Sequence, residues 1–479
     1  MTAVSEAPVA ITAKARTGRR WLGLFAILAA TLMDVLDTSI VNIAAPTIHR
    51  DLGGDYTALQ WLTAGYTLAI AAGMLTGGRL GDMHGRKRML MTGTTGFLIT
   101  STLCAIAPTT DALIGTRVLQ GLCAAVMVPQ CFGLIRDLFG NEMGKAFTWF
   151  GPCIGLSIVA GPIVAGTLVD ANLFGTGWRM IFLINLPLGA FTMLAGRLAL
   201  PARAADAARP ARLDVSGALL AGLAMFLLTF PLVQGRELGW PAWSFAMLGA
   251  SVPVLGLFGW IQTRKSGSRL LEMSVFRKRS YVSGVVFVAV FFGAMVGLSL
   301  VIGLFLQLGQ GFSATKASLV MSGWPVGGFI GSALGGTLGA RLGRDILHVG
   351  LTVMGLGTLW IYLTFHAHST SLVLPTVVYG LGMGAIFMPV FDIIVGAIED
   401  HEVGSGSAVL ETVQQLAASV GVAAFGTIFF GRIGHGFAAV EPVTLLALAL
   451  TAAAFAIAFF LPRTAHAHVQ TPTGGPGPS

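Results

Sequence analysis

Stretches of about twenty mostly apolar residues recur along this 479-residue chain, separated by short polar breaks. A helix crossing a bilayer core of about 30 Å needs roughly 20 such residues. Fourteen windows qualify: 21–44, 58–78, 89–107, 112–135, 146–169, 180–196, 215–235, 243–263, 281–307, 317–340, 346–366, 371–396, 405–429 and 441–461. Runs this long exclude a transmembrane β-barrel, whose strands alternate and span about 10 residues. They predict an all-α polytopic membrane protein. Composition agrees, with 54% hydrophobic residues and only 10% charged, against roughly 25% charged in a soluble domain. A soluble enzyme, a nucleic-acid binder and a disordered chain are thereby excluded. Cys104, Cys123, Cys131 and Cys153 all fall inside apolar runs, where Cys behaves as a small hydrophobe, and their spacing fits neither a disulfide framework nor a zinc site.

The charges that remain are distributed unevenly. The first twenty residues hold Lys14, Arg16, Arg19 and Arg20 without a cleavable signal pattern, so the N-terminus is expected to stay inside. Alternating from there, the cytoplasmic segments receive 23 of the 29 basic residues and the outer segments 5, leaving Arg117 within a span. This is the positive-inside asymmetry. It predicts a multi-pass protein of the cytoplasmic membrane with both ends in the cytoplasm. The formal net charge of +8 therefore sets orientation and implies no nucleic-acid partner.

An internal repeat divides the chain. Gly77-Gly78-Arg79-Leu80-Gly81-Asp82-Met83-His84-Gly85-Arg86 and Gly335-Gly336-Thr337-Leu338-Gly339-Ala340-Arg341-Leu342-Gly343-Arg344 match at six of ten positions, 258 residues apart. That offset suits six helices plus two additional ones. The expected organisation is a cytoplasmic tail at 1–20, an N-terminal six-helix bundle at 21–199, and a linker with two extra transmembrane helices at 200–280. A C-terminal six-helix bundle at 281–461 and a disordered cytoplasmic tail at 462–479 complete it. Within the linker, Pro201–Arg212 is rich in Ala, Arg and Pro.

Four segments carry a resemblance. Gly78-Arg79-Leu80-Gly81-Asp82-Met83-His84-Gly85-Arg86-Lys87 resembles the loop between the second and third helices of the major facilitator superfamily. Leu36-Asp37-Thr38-Ser39-Ile40-Val41-Asn42-Ile43-Ala44-Ala45-Pro46 is similar to the first-helix signature of its fourteen-span drug:proton antiporters. Arg117-Val118-Leu119-Gln120-Gly121 resembles the fourth-helix motif associated with proton coupling, and Gly161-Pro162-Ile163-Val164-Ala165-Gly166 the fifth-helix motif associated with antiporters. The chain departs from these patterns at Met83, where a basic residue is usual, and at Ala165 and Ser157, which replace glycines. Glu411 stands where an uncharged polar residue is commoner.

Charges inside a bilayer cost about 2.5–3.5 kcal/mol or more and are functional candidates by default. Asp34, Asp37, Asp392 and Glu411 are the acids within spans. Asp37 and Arg117 lie at similar depths below the outer boundary, and meet if helices one and four are neighbours, as the resemblance implies. A nearby guanidinium favours the carboxylate while burial favours the neutral acid, so Asp37 or Asp34 is a candidate proton site with Arg117 biasing release. The alternative is a fixed ion pair that only joins two helices. Asp34, one turn from Asp37, is the most central acid, and with Trp61, Tyr66, Trp149 and Phe150 would suit a lipophilic cation. Glu411, followed by Gln414 and Gln415, is a candidate substrate or second proton site, whereas Asp392 is expected to snorkel to the interface.

Gly78, Asp82, Gly85 and Arg86 sit on a short cytoplasmic loop whose basic residues set topology. The resemblance adds that Asp82 caps a helix of the other bundle and latches one conformation, as a carboxylate at a helix N-terminus would. In span ten Gly323, Gly327, Gly331 and Gly335 recur every four residues, a flat stripe that admits a close partner. Gly161, Pro162 and Gly166 in span five permit packing and a bend. Both sets are expected to form the surfaces on which two bundles rock.

These residues and the resemblance imply a proton-coupled antiporter that exports small lipophilic, often cationic, compounds by alternating access. The alternative is a dedicated exporter of an antibiotic or endogenous metabolite, and a third class is a non-transporting membrane sensor. No GxxxxGK[ST] loop is present for ATP hydrolysis, so a proton gradient is the expected driving force and no cofactor is expected. Neither an enzyme nor a metal site is indicated, since His348, His366 and His368 lack an acid or Cys at ligand spacing. The expected partners are a small molecule, protons and the lipid bilayer, with no obligate protein partner.

Overall fold

The computed structural model describes residues 7–139, 146, 161–201, 214–235, 238–264, 273–399 and 402–463. Every regular element among them is helical. The N-terminal part contains α1 (Ala7–Leu52), α2 (Tyr56–His84), α3 (Arg86–Ala105), α4 (Thr110–Phe139), α5 (Gly161–Ala171) and α6 (Asn185–Ala199). A hairpin of α7 (Val215–Gln234) and α8 (Ala242–Arg264) follows. The C-terminal part contains α9 (Arg279–Leu304), α10 (Ala314–Met321, continuing as Gly323–Leu342), α11 (Asp345–His366), α12 (Val373–Val395), α13 (Val403–Phe430) and α14 (Glu441–Ala458). The expected tail at 1–20 is partly absorbed into α1, which begins at Ala7. Most of the linker Pro201–Arg212 and the tail from residue 464 lie outside the described residues.

Twelve helices, not the expected fourteen, are long and apolar enough to cross a membrane among the described residues. The two windows that fall short do so for separate reasons. Residues 147–160 of the window 146–169 lie outside the described residues, leaving only Gly161–Ala171 as a short apolar helix. The window 89–107 does form a 20-residue helix, α3, but that helix opens on Arg86-Lys87-Arg88 and is rich in Thr, which lowers its hydropathy. Its hydroxyls are satisfied internally: Thr92, Thr95 and Thr102 donate to the carbonyls of Arg88, Met91 and Leu98 at 2.9–3.0 Å.

The two parts share a packing plan. In the first, α4 packs against α2 and α3, and α6 against α1 and α3; in the second, α12 packs against α10 and α11, and α14 against α9 and α11. Cations at neighbouring positions of the repeat close equivalent helix ends. Lys87 Nζ donates to the carbonyls of Arg197 in the last turn of α6 and Leu200 just beyond it, at 3.0 and 2.8 Å. Arg344 Nη1 donates to those of Phe459 and Leu461 beyond α14, at 2.7 and 2.9 Å. Each satisfies carbonyls that a helix C-terminus leaves unpaired and offsets the negative end of its dipole. The α7–α8 hairpin lies against α2 of the first part and α13 of the second. A belt of exposed apolar side chains, including Leu194, Leu219, Val252, Leu359 and Leu363, would be an aggregation hazard in water and suits lipid.

The glycine stripe of α10 does not lie between the two parts. Cβ atoms on Gly323, Gly327, Gly331 and Gly335 would collide with the backbone carbonyls of Val373, Val377, Leu381 and Ala385, all on α12. Gly380 and Gly384 of α12 press equally closely on the carbonyls of Trp324 and Gly328. Glycines thus face one another from both helices, and Gly327 and Gly331 lock α10 inside its own bundle instead of forming a rocking surface. In lipid, close backbone approach of this kind replaces the hydrophobic drive that water would supply. Gly331→Val should therefore destabilise the bundle by roughly 1–3 kcal/mol, read as a fall in apparent Tm of detergent-purified protein. Val at Gly336, where a Cβ meets nothing within 4 Å, should leave Tm unchanged.

Candidate functional site

The polar interior of the first bundle is assembled from five helices. Asp34 and Asp37 lie one turn apart on α1, and Arg117 and Gln120 one turn apart on α4, so each pair addresses nearly one direction. Asp37 and Arg117 are both completely buried and directly ion-paired, Arg117 Nη1 donating to Asp37 Oδ2. The same nitrogen donates to Gln120 Oε1 at 2.8 Å, and Arg117 Nε donates to the carbonyl of Leu62 on α2 at 3.1 Å. The guanidinium carbon stands 4.0 Å from the centre of the Tyr66 ring, a cation–π contact strengthened by the dry surroundings.

Asp37 Oδ1 accepts from Gln120 Nε2 at 3.0 Å and from Asn185 Nδ2 of α6 at 2.9 Å. Asn185 Nδ2 also donates to Ser101 Oγ of α3 at 2.9 Å. Asp37 thus accepts three N–H donors, one of them cationic, which meets the requirement that a buried charge be paired and fully hydrogen-bonded. Asp34 is served differently: Tyr66 donates its hydroxyl to Asp34 Oδ1 at 2.6 Å, and no cation among the described residues bonds to it. Asp34 also keeps 8% exposure where Asp37 and Arg117 keep none.

The local sequence explains this convergence. Gly121 follows Gln120 and faces α2, where a Cβ would press on the Tyr66 carbonyl at 2.5 Å. In Arg117-Val118-Leu119-Gln120-Gly121, two residues therefore reach α1 while the glycine admits the backbone that presents Tyr66.

Of the residues expected in the site, the structure brings together Asp34, Asp37, Tyr66 and Arg117. Trp61 is not among them: its ring lies 5.8 Å from that of Phe230 on α7, because it stands on a different face of α2 from Tyr66. Trp149 and Phe150 lie outside the described residues. Glu411 and Gln414 are half-buried on α13, and Glu411 is within electrostatic reach of Asp34. Asp392 is exposed near the end of α12. Asn185 and Ser101 were not singled out from the sequence; an Asn six residues inside an apolar span was the available signal.

The loop motif also differs from expectation. Gly85, at φ 91°, makes the left-handed turn between α2 and α3, which favours glycine. Asp82 meets Arg86 at 3.4 Å within the same bundle, and Arg86 turns to Asp137 and the carbonyl of Gly133 on α4. Among the described residues Asp82 therefore caps no helix of the C-terminal bundle, and Gly78 lies beside Pro129. The bundles meet instead in the half away from this loop. There Ser419 Oγ of α13 donates to the carbonyl of Ala64 at 3.0 Å, and the backbone N–H of Thr315 on α10 donates to Asp170 of α5 at 2.8 Å. Hydrogen bonds from Thr315 and Ser313 outweigh partial burial and hold the Asp170 carboxyl below its usual range. Gly166, one turn from Asp170, permits this meeting, since its Cβ would lie 2.8 Å from Ala314 O and Thr315 Cα. Gly161 and Pro162 open the described part of α5.

Residues 27–422 match the model of the Major Facilitator Superfamily. The chain belongs to that family. It is 46% identical over 425 residues to the "Probable actinorhodin transporter" of Streptomyces coelicolor, covering 86% of this chain and 73% of that protein. It is 31% identical over 425 residues to the "Tetracenomycin C resistance and export protein" of Streptomyces glaucescens, covering 87% and 77% respectively. The peptide transporter POT in complex with sulfate shares the fold at 16% identity, with a TM-score of 0.65 over 92% of this chain and 95% of that one. The protein is a multi-pass membrane transporter with an all-helical major facilitator fold, not an enzyme, and its relatives include antibiotic and multidrug efflux transporters.

Lys at position 117 would retain the charge but lose the fork that binds Asp37, Gln120 and the Leu62 carbonyl together. Arg117→Lys should lower transport at least about tenfold at equal membrane abundance, measured as efflux of an accumulated fluorescent compound.

Proposed function

We propose that this family member is a proton-coupled exporter of small lipophilic compounds, working by alternating access in the plasma membrane. The observation that carries this reading is the unequal service of two acids on one helix face. Among the described residues Asp37 is saturated by three donors, whereas Asp34 has a single neutral donor and residual exposure. A carboxyl with one neutral partner can gain and lose a proton without leaving a buried cation unpaired. Asp34 is then the proton carrier, and the Asp37–Arg117 pair a fixed anchor for the field around it.

Support for the direction of transport comes from the relatives, whose names speak of export and resistance. A lipophilic cation suits Asp34 and Glu411, which approach each other from opposite bundles and would exchange protons for the substrate's charge. A second reading, dedicated export of one antibiotic or metabolite, is favoured by relatives named for single compounds. The positive-inside asymmetry supports cytoplasmic termini. Fourteen crossings follow if α3 and the segment ending in α5 supply the two beyond the twelve. In that orientation the bundles meet on the outer side, leaving the cytoplasmic side to open. Asp82 then latches the opposite state, in which the cytoplasmic ends close.

Proteoliposomes with an imposed pH gradient test the coupling, assayed with cationic dyes and neutral aromatic antibiotics. Wild type should move its substrate against a concentration gradient. Asp34→Asn should abolish gradient-driven transport while sparing substrate exchange; persistence of driven transport in Asp34→Asn removes Asp34 as the carrier. Glu411→Gln should weaken dicationic substrates more than monocationic ones, by about tenfold or more if one charge pair is lost. An unchanged substrate profile removes Glu411 from the substrate site.

A further inference from the structure

Asn185 is completely buried, yet its amide is oriented from two directions. Its Nδ2 donates to Asp37 Oδ1 and to Ser101 Oγ, both at 2.9 Å, and Ser101 Oγ is itself committed as donor to the carbonyl of Phe182 at 2.9 Å. With its hydrogen used there, Ser101 can only accept from the amide. Nδ2 therefore faces Asp37, and the amide's own oxygen is left buried without a partner. Turning the amide over would satisfy neither Asp37 nor Ser101.

This has a consequence for where a proton can sit. Both oxygens of Asp37 face N–H groups: Arg117 on one, Gln120 and Asn185 on the other. Protonation would direct an O–H against a donor and forfeit a charge-assisted bond. Among the described residues the charged or titratable groups around Asp37 are Asp34 on its own helix, Tyr66 on α2, Cys104 on α3 and Arg117 on α4, while α6 presents the neutral amide of Asn185. None of them offers Asp37 an acceptor for a proton in the present bonding.

We infer that Asn185, held by Ser101, is a positioning residue that keeps Asp37 ionised and Arg117 anchored throughout the cycle, confining proton binding to Asp34. The inference rests on the proton-coupled reading above, but it is tested without it.

Infrared difference spectra of purified protein, recorded between neutral pH and about pH 5, report newly protonated carboxyls. Asp34→Asn alone should show no band from Asp37. Asp34→Asn combined with Asn185→Leu, which removes the donor at similar volume, should gain a protonated-carboxyl band that is lost again on adding Asp37→Asn. Should Asn185→Leu not fold, Ser101→Ala frees the amide to turn and should give the same band more weakly. In driven transport, Asn185→Leu should move the acid limb of the rate profile toward neutral by about one pH unit, with KM little changed. Absence of the new band in folded variants, or an Asp37 band already present in Asp34→Asn alone, overturns the inference. Failure of a pH gradient to drive wild-type transport would overturn the coupling instead, and leave the infrared result standing.

Discussion

A guanidinium and a carboxylate buried together at membrane depth make the strongest demand on this fold. Removing two charges from water costs several kcal/mol per ion even after relaxation, and direct attraction repays it only when the remaining lone pairs and protons are also bonded. Asp37 meets that condition with Gln120 and Asn185, and Arg117 meets most of it through Gln120 and the Leu62 carbonyl, its Nη2 being left buried over the Tyr66 ring without a partner among the described residues. The requirement draws α1, α2, α4 and α6 to a common point and fixes their rotation. It also explains why Gly121 follows this turn of α4: the helices must approach closely enough for a side chain on one to serve a charge on another.

Once that pair is fixed, the neighbouring acid gains its distinct character. Asp34 lies in the field of Arg117 but is not bonded to it, and Tyr66 joins the two by donating to the acid while its ring faces the cation. A saturated charge beside a nearly unserved one is a general way to localise a proton, since the first can only lose bonds by titrating. Glu411 approaches the same region from the other bundle, so the charge of Asp34 is felt across the interface between the bundles.

Close packing in the two halves follows one rule with different results. Glycines on α10 and α12 face each other and bind those helices into one rigid unit. Gly166 on α5 admits α10 from the opposite bundle, beside Asp170, which receives the first backbone N–H groups of that helix. The first contact is permanent in character, with backbone against backbone. The second rests on a polar bond near the end of a helix.

The helical class, nearly all the span positions, the repeat and the four family motifs are legible from residues alone, because hydropathy and glycine spacing are local properties that a bilayer reads directly. Asp34, Asp37 and Arg117 are legible for the same reason, as charges in apolar runs are costly wherever they lie. Local pattern is blind to partners. Nothing about Trp61 says that it faces Phe230, and nothing about the glycines of α10 distinguishes a partner in their own bundle from one in the other. The window 89–107 looks like a membrane span by its apolar pattern, yet the basic turn that precedes it lowers the hydropathy of the helix that actually forms. Asn185 is one amide in an apolar stretch until α6 is laid against α1. Sequence determined which charges had to be buried; only the tertiary structure decided which of them was satisfied, because hydrogen bonds between helices depend on rotation and approach that no single helix encodes.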